Sequence, residues 1–261
     1  MAFTVHAVMP GVWHIVDCMG VCMTLLEGEN AAMLVDTGYG IEDVADFMRH
    51  MTDLPLTVFL THNHHDHAMG ARCFPETYML EADMADWRMF TNDEMRRRVL
   101  TQAIGKNLPV DKKTFLAGEI PLPKVMKPGV IDLGGLTAEI IEAPGHTPGS
   151  AVVYVPERKL LLSGDDWNPC TWLFFPQALG LREYRSNMRG IQQLPFEKVL
   201  CPHREALYDR WMFDDFFNAL TDGNLRAAEP VNIAPYEQID TCQATLPHDQ
   251  VLVFDWAKSG L

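Results

Sequence analysis

The chain has 261 residues, 48% of them hydrophobic and 21% charged, enough for one domain with a substantial core. Its net charge of −14 opposes binding to nucleic-acid backbones and anionic membranes, and no apolar run approaches the roughly 18 residues of a membrane span. The opening "MAFTVHAVMPGVW" carries no basic region followed by an apolar one, so no export signal is expected and the cytoplasm is the expected compartment.

Apolar or alternating runs open the chain. "GVWHIVD", "VCMTLLEG" and "AAMLVDTG" read as strands closed by Gly, Asn and Asp turn signals. Residues 41–51, "IEDVADFMRHM", place Ile41, Val44, Phe47, Met48 and Met51 at helical spacing. "LTVFL" (56–60) reads as a buried strand, residues 81–104 as helical, and 105–129 as a connection containing Pro and Gly. Strands are expected again at "GGLTAEIIEAPG", "SAVVYVP" and "KLLLSGD". They are followed by a helix near 183–194, the strand "KVLCPH", a long helix over 205–228 and a last strand "VLVFDW". On the long helix, Tyr208, Trp211, Phe216 and Phe217 read as a core-facing stripe. Six scattered cysteines, with no CxxC pair, read as free thiols.

The order "MLVDTG", helix, "VFLTHNH" is echoed by "LLLSGD", helix, "VLCPH". Each is an apolar strand ending at Asp, a crossover helix, and an apolar strand ending at His. Two related halves of this kind suggest two mixed β-sheets facing each other with helices outside, a four-layer α/β sandwich (αββα) over residues 1–261.

Four of the ten histidines fall within six positions of "FLTHNHHDHAMG". His62 and His64 are two apart at a strand end, so both side chains can point to one side. Asp66 and His67 follow where the chain turns and can face a second point nearby. Imidazole and carboxylate suit zinc, iron or manganese without any thiolate. Four candidate ligands exceed what one open catalytic zinc uses, whereas two adjacent metals use them well. His146 lies in the Gly/Pro-rich loop "EAPGHTPGS". Asp165 ends the apolar strand of "LLSGDD" and can bridge two cations, and His203 ends "VLCPH". All are at strand ends or in loops, the usual places for site residues on a rigid scaffold. His6, His14 and His50 lack ligand spacing, His65 is the spare position of the cluster, and His248 sits in a polar turn.

HxHxDH over residues 62–67, the later GH, the GD of "SGDD", the strand-end His203 and the opening "LVDTGYG" together resemble the metallo-β-lactamase superfamily over nearly the whole chain. The resemblance implies one metal on His62, His64 and His146. A second would sit on Asp66, His67 and His203, with Asp165 bridging and Asp36 supporting from behind. Asp166, one residue on, stays an alternative bridge. "CPHRE" departs from the Pro-Gly-His-Gly turn common around the last histidine of the family.

The expected activity is hydrolysis by a dinuclear metal centre, zinc first and iron or manganese as alternatives. A hydroxide made at the metals attacks a small ester, thioester or lactone, and Asp66 orients it and carries a proton to the leaving group. A single-iron dioxygenase of the same fold, or a β-lactam or phosphodiester hydrolase, is the alternative. Trp167, Trp172 and Phe174, just after Asp165, are candidate lining for an apolar substrate pocket.

Residues 94–127 hold eight basic residues against three acidic ones. With 81–127 read as a helical, basic insertion, Arg96, Arg97, Arg98, Lys112 and Lys113 are candidates to meet an anionic small-molecule substrate. A homodimer is compatible with the apolar loops. No nucleic acid or membrane partner is expected.

Overall fold

The computed structural model describes residues 3–261; Met1 and Ala2, part of the N-terminal stretch and of the 1–261 span read above, lie outside it. The first sheet runs in chain order through Thr4–Met9, Val12–Val16, Cys22–Glu27, Ala32–Val35, Leu56–Phe59, Tyr78–Met79 and Lys124–Val125. Its first four strands pair antiparallel and the rest parallel. The second sheet has the order Tyr208–Asp209, Lys198–Leu200, Leu160–Leu162, Ala151–Val155, Thr137–Glu142, Gly129–Asp132.

Alternation along the strands builds the layers. Leu26, Met33, Val35 and Phe59 face inward and pack against Ile140, Val153, Val155, Leu160 and Leu162 of the second sheet. Leu25, Leu34 and Val58 face outward and are covered by Val44 and Met48 of the helix Val44–Met51. On the far side, Val152, Leu161 and Val199 are covered by Leu181, Tyr184 and Met188 of the helix Leu181–Gln192 and by Phe213 and Phe216 of Arg210–Ala219. Strands buried on both faces explain the near-continuous apolar runs. The two facing mixed sheets with helices outside are therefore present.

Both halves of the internal echo are parallel crossovers. Leu34 pairs with Val58 and Val35 with Phe59, while Leu161 pairs with Val199 and Leu162 with Leu200. In each, the helix between the strands lies on the outer face of its sheet.

Several expectations need correction. The 41–51 helix begins at Val44, because the Asp43 side chain accepts the Asp46 N–H and caps it. The 205–228 segment is not one helix. Tyr208–Asp209 forms an edge strand, Arg210–Ala219 is helical, and Thr221 caps a separate turn, Asp222–Arg226. Within it Phe216 is buried but Trp211 is 50% exposed, so Trp211 leaves the core stripe. A third, four-stranded sheet was not anticipated: Cys170–Leu173, Gln250–Asp255, Thr241–Leu246 and Glu229–Pro230. Its Leu173, Leu252 and Phe254 extend the core beneath the outer helices of the second sheet.

The segment 81–127 carries the helices Trp87–Thr91, Asp93–Gly105 and Lys112–Phe115. Trp87, Val99, Leu100 and Phe115 form one apolar cluster with Leu60 and Met69, which flank the histidine cluster in sequence. The helical segment is thereby fixed beside the loop that carries His62 to His67.

Candidate metal centre

Residues 62–67 leave the end of the strand Leu56–Phe59 and close into a four-residue helical turn, His65–Ala68. The "DTGYG" loop braces them. Asp36 adopts a left-handed φ of 66°, and Thr37 donates its N–H and its hydroxyl to the His67 carbonyl, both at 2.8 Å. Gly70 is required there, because a Cβ on it would lie 2.1 Å from the Thr37 carbonyl oxygen.

The fold brings seven side chains together. Ligand atoms of His62, His64 and His146 lie within 4.8 Å of one another, as do those of His62, His67 and Asp165, and those of Asp66, His67 and His203. Asp165 joins the groups. Its Oδ2 is 3.1 Å from His203 Nε2 and 3.6 Å from His146 Nε2, and its Oδ1 is 3.5 Å from His67 Nε2. Asp66 Oδ2 lies 3.7 Å from both His67 Nε2 and His203 Nε2. Asp166 points elsewhere: its Oδ1 accepts the His146 N–H at 3.0 Å, behind the centre.

A fit to metal ions is visible in how the imidazoles are held. The Thr61 hydroxyl donates to Asp36 and accepts from His62 Nδ1 at 3.0 Å, leaving His62 Nε2 bare. His67 Nδ1 donates to Asp36 Oδ2 at 3.0 Å, leaving Nε2 bare, and His146 Nδ1 donates to the Trp172 carbonyl at 2.6 Å. His62 Nε2, His67 Nε2 and Asp165 Oδ1 are buried with no partner in the protein. Buried polar atoms are ordinarily satisfied, so three orphans converging on one point call for a bound cation. Gln177 faces His64 Nε2 at 2.6 Å, with its own Oε1 unpartnered. Turning that amide lets Oε1 accept the Nε2 proton and leaves His64 Nδ1, which faces His146 Nε2 at 2.8 Å, without a proton and with its lone pair available to a ligand bond.

The electrostatics divide the imidazoles: burial works to lower His67 and His203 too, but Asp165 and Asp66 beside them hold His67 well above and His203 above the usual histidine range. Burial, reinforced by neighbouring imidazoles, holds His62 and His64 well below the usual histidine range. Burial works against the charge on Asp66 and Asp165, but the imidazoles around them prevail. Asp66 is held at about 2, chiefly by His67, and Asp165 well below its usual value, chiefly by His203. Asp166 is pushed up by burial and by Asp165, so the two adjacent aspartates part company.

The remaining histidines lie elsewhere. His65 is partly buried with its ring 5.5 Å from that of Tyr39. His14 binds Thr24 and the Arg204 carbonyl, His6 meets Glu205, His50 meets the Asp46 carbonyl, and His248 pairs with Asp215.

The aromatic lining needs revision. Trp167 is fully buried against Tyr208 and Phe213, with Nε1 donating to Gln250, and Phe174 is also fully buried. Both belong to the core. Trp172 is 37% exposed and serves His146 through its carbonyl. The rings that do border the ligands are Phe175, with its centroid 4.7 Å from that of His64, and Phe90, at 4.4 Å. Arg96 is likewise withdrawn as an anion contact. It is 1% exposed and donates to the carbonyls of Phe115, Ala117 and Gly118, holding the helical segment together. Arg97, Arg98, Lys112 and Lys113 remain exposed.

A further residue, silent in the sequence, joins two ligand loops. Asp83 Oδ2 accepts the Asn63 N–H at 3.1 Å and the Thr147 hydroxyl at 2.7 Å, and Oδ1 accepts the Gly149 N–H at 2.6 Å. Asn63 lies between His62 and His64, and Thr147 follows His146.

The sequence profile described as "Metallo-beta-lactamase superfamily" matches residues 16–203, a span that includes all seven clustered side chains. The chain belongs to the metallo-β-lactamase superfamily. Among curated proteins it is 26% identical over 200 residues to the acyl-coenzyme A thioesterase MBLAC2 of Gallus gallus, covering 69% of this chain and 70% of that protein. The metallo-beta-lactamase family protein TTHA1429 from Thermus thermophilus superposes with a TM-score of 0.60 at 20% identity, over 85% of this chain and 82% of that one. TTHA1623, solved in a di-iron-bound form, superposes with a TM-score of 0.53 at 21% identity, over 76% of this chain and 94% of that one. At these identities the two structures speak to the fold alone.

Proposed function

We propose that this member of the superfamily is a dinuclear metal-dependent hydrolase of acyl thioesters and related small esters. The reading is carried by one observation: Asp165 stands between the His62, His64, His146 group and the Asp66, His67, His203 group, and its Oδ1 is left without a partner together with His62 Nε2 and His67 Nε2. His62, His64 and His146 would hold one ion, and Asp66, His67 and His203 the other, with Asp165 between them. The donor set is all nitrogen and oxygen, which suits zinc, with iron or manganese as alternatives. When bound, the two ions supply a Lewis acid for the carbonyl and a nucleophilic water at neutral pH.

The protein's own groups do the rest. Asp36, Thr61, Gln177 and the Trp172 carbonyl fix the imidazoles, so no reorganisation is needed as charge develops. Asp66, kept ionised, orients the water, accepts its proton on a carboxylate oxygen and returns it to the departing sulfur. Water and thioester become carboxylic acid and thiol. The choice of thioester among the esters leans on the resemblance to the avian acyl-coenzyme A thioesterase. The net charge of −14 argues for a small molecule over a nucleic acid.

The test is metal content by plasma mass spectrometry on protein purified without added metal, followed by ester, thioester and lactone panels. Near two equivalents with thioester turnover is the expected result. A single equivalent of iron that resists a second metal overturns the reading in favour of an oxygen-consuming enzyme of the same fold.

A further inference from the structure

A cavity of about 280 Å³ opens beside His64, walled by Met89, Phe90, Met95, Phe175 and Tyr236. Phe90 and Phe175 are the same rings that touch His64, and Gln177, which holds His64, also lines the cavity. The helical segment after the histidine cluster supplies one wall, and the loop after the third sheet's first strand supplies the other. The cavity thus shares Phe90, Phe175 and Gln177 with the surroundings of His64, and His203 is not among the residues that line it.

We infer that this cavity is the acyl subsite of the enzyme and takes an unbranched, uncharged acyl chain whose carbonyl lies beside His64. The inference rests on the hydrolase reading above. Three observations give it direction. The leaving thiol must collect a proton from Asp66, which groups with His67 and His203. The thiol therefore departs on that flank, and the acyl chain extends towards the opposite one. Next, the cavity lies just under the lower end of the range for sites that enclose drug-sized ligands, so it suits a short or medium chain better than a bulky carrier. Finally, the lining combines Asn92, Glu94, Arg98 and Gln177 with aromatic rings and two thioethers, and it is these apolar surfaces that adapt to flexible hydrocarbon. The cation at its rim, Arg98, is already paired with Glu94 at 2.6 Å and does not call for a charged chain end.

The experiment compares decanoate with acetate by titration calorimetry on the metal-loaded protein. It is paired with kcat/KM for a matched thioester series from acetyl to decanoyl. Both ligands offer the metals the same carboxylate, so the difference reads the cavity alone. Each added methylene should tighten binding and raise kcat/KM about fourfold until the cavity is full. Met95→Trp, which fills the cavity, and Tyr236→Ala, which removes a wall distant from the ligands, should each weaken decanoate about tenfold and leave acetate within about twofold. Thermal melts establish that both variants fold, and either one alone decides the matter. A flat chain-length series with thioesters still turned over overturns the subsite and spares the hydrolase. Chain-dependent decanoate binding without turnover of any thioester keeps the subsite and sinks the thioesterase.

Discussion

The two flanks of the metal centre are built differently. On one, His62, His64 and His146 are almost wholly buried and walled by Phe90 and Phe175. On the other, the His203 side chain is 28% exposed, against 2% for His146, and Asp66 is 16% exposed. A dry flank strengthens electrostatic contacts with a substrate, and a wet one lets water arrive and product leave. The division of labour follows from burial before any particular substrate is considered.

Removing a ligand from either flank tests that comparison most harshly. His64→Ala and His203→Ala should each lower kcat by more than about a hundredfold, since loss of a mere outer partner already costs about 10–100-fold. His203→Ala should keep close to one equivalent of metal. Two full equivalents in that variant would remove His203 from the ligand set. Asp36→Asn reaches both flanks, through His67 and through Thr61 to His62. It should reduce metal affinity and kcat by about 10–100-fold; an effect on one equivalent alone would limit Asp36 to one flank.

A graded chelator titration sharpens the contrast further. The exposed flank should release its metal first, giving two phases, and a single phase would make the flanks equivalent. Gln177→Leu should weaken metal on the buried flank by about tenfold, with the other equivalent unmoved. The smallest effect on activity is expected at Asp83, whose carboxyl burial pushes up to about 6. Its pKa is raised on folding, so the stability it contributes is present below about pH 4 and lost as pH rises through about 6. Measured against Asp83→Asn in metal-free protein, the wild type should lose about 2–3 kcal/mol across that window. Parallel stability curves would leave Asp83 without this role.

The sequence made some of this legible and hid the rest for identifiable reasons. His62, His64, Asp66 and His67 crowd into six positions, and His146, Asp165 and His203 each end an apolar run or sit in a Gly/Pro loop. The two parallel crossovers could be read because strand, helix and strand recur in order. Asp83, Gln177, Phe90 and Tyr236 were silent because their roles come from contacts between segments distant along the chain. Trp167 misled because nearness to Asp165 in sequence says nothing about side-chain direction. The 3₁₀ turn Gly164–Asp166 leaves Asp165 at the centre and Trp167 in the core. Arg96 misled for a related reason: three arginines in a row on a helix point three ways, and one of them points inward.

The ligands also come from both sides of the sandwich. His62 to His67 follow a strand of the first sheet, whereas Asp165 and His203 follow strands of the second. The Cys22 N–H, at the head of a first-sheet strand, donates to the Pro202 carbonyl beside His203 at 2.7 Å. Cations at such a seam act as rivets between the halves, and whatever binds only the folded state stabilises it by mass action. With the ions of the proposed centre withdrawn, the protein should be looser and more open to proteolysis, so that supply of the ion would set its lifetime as well as its activity.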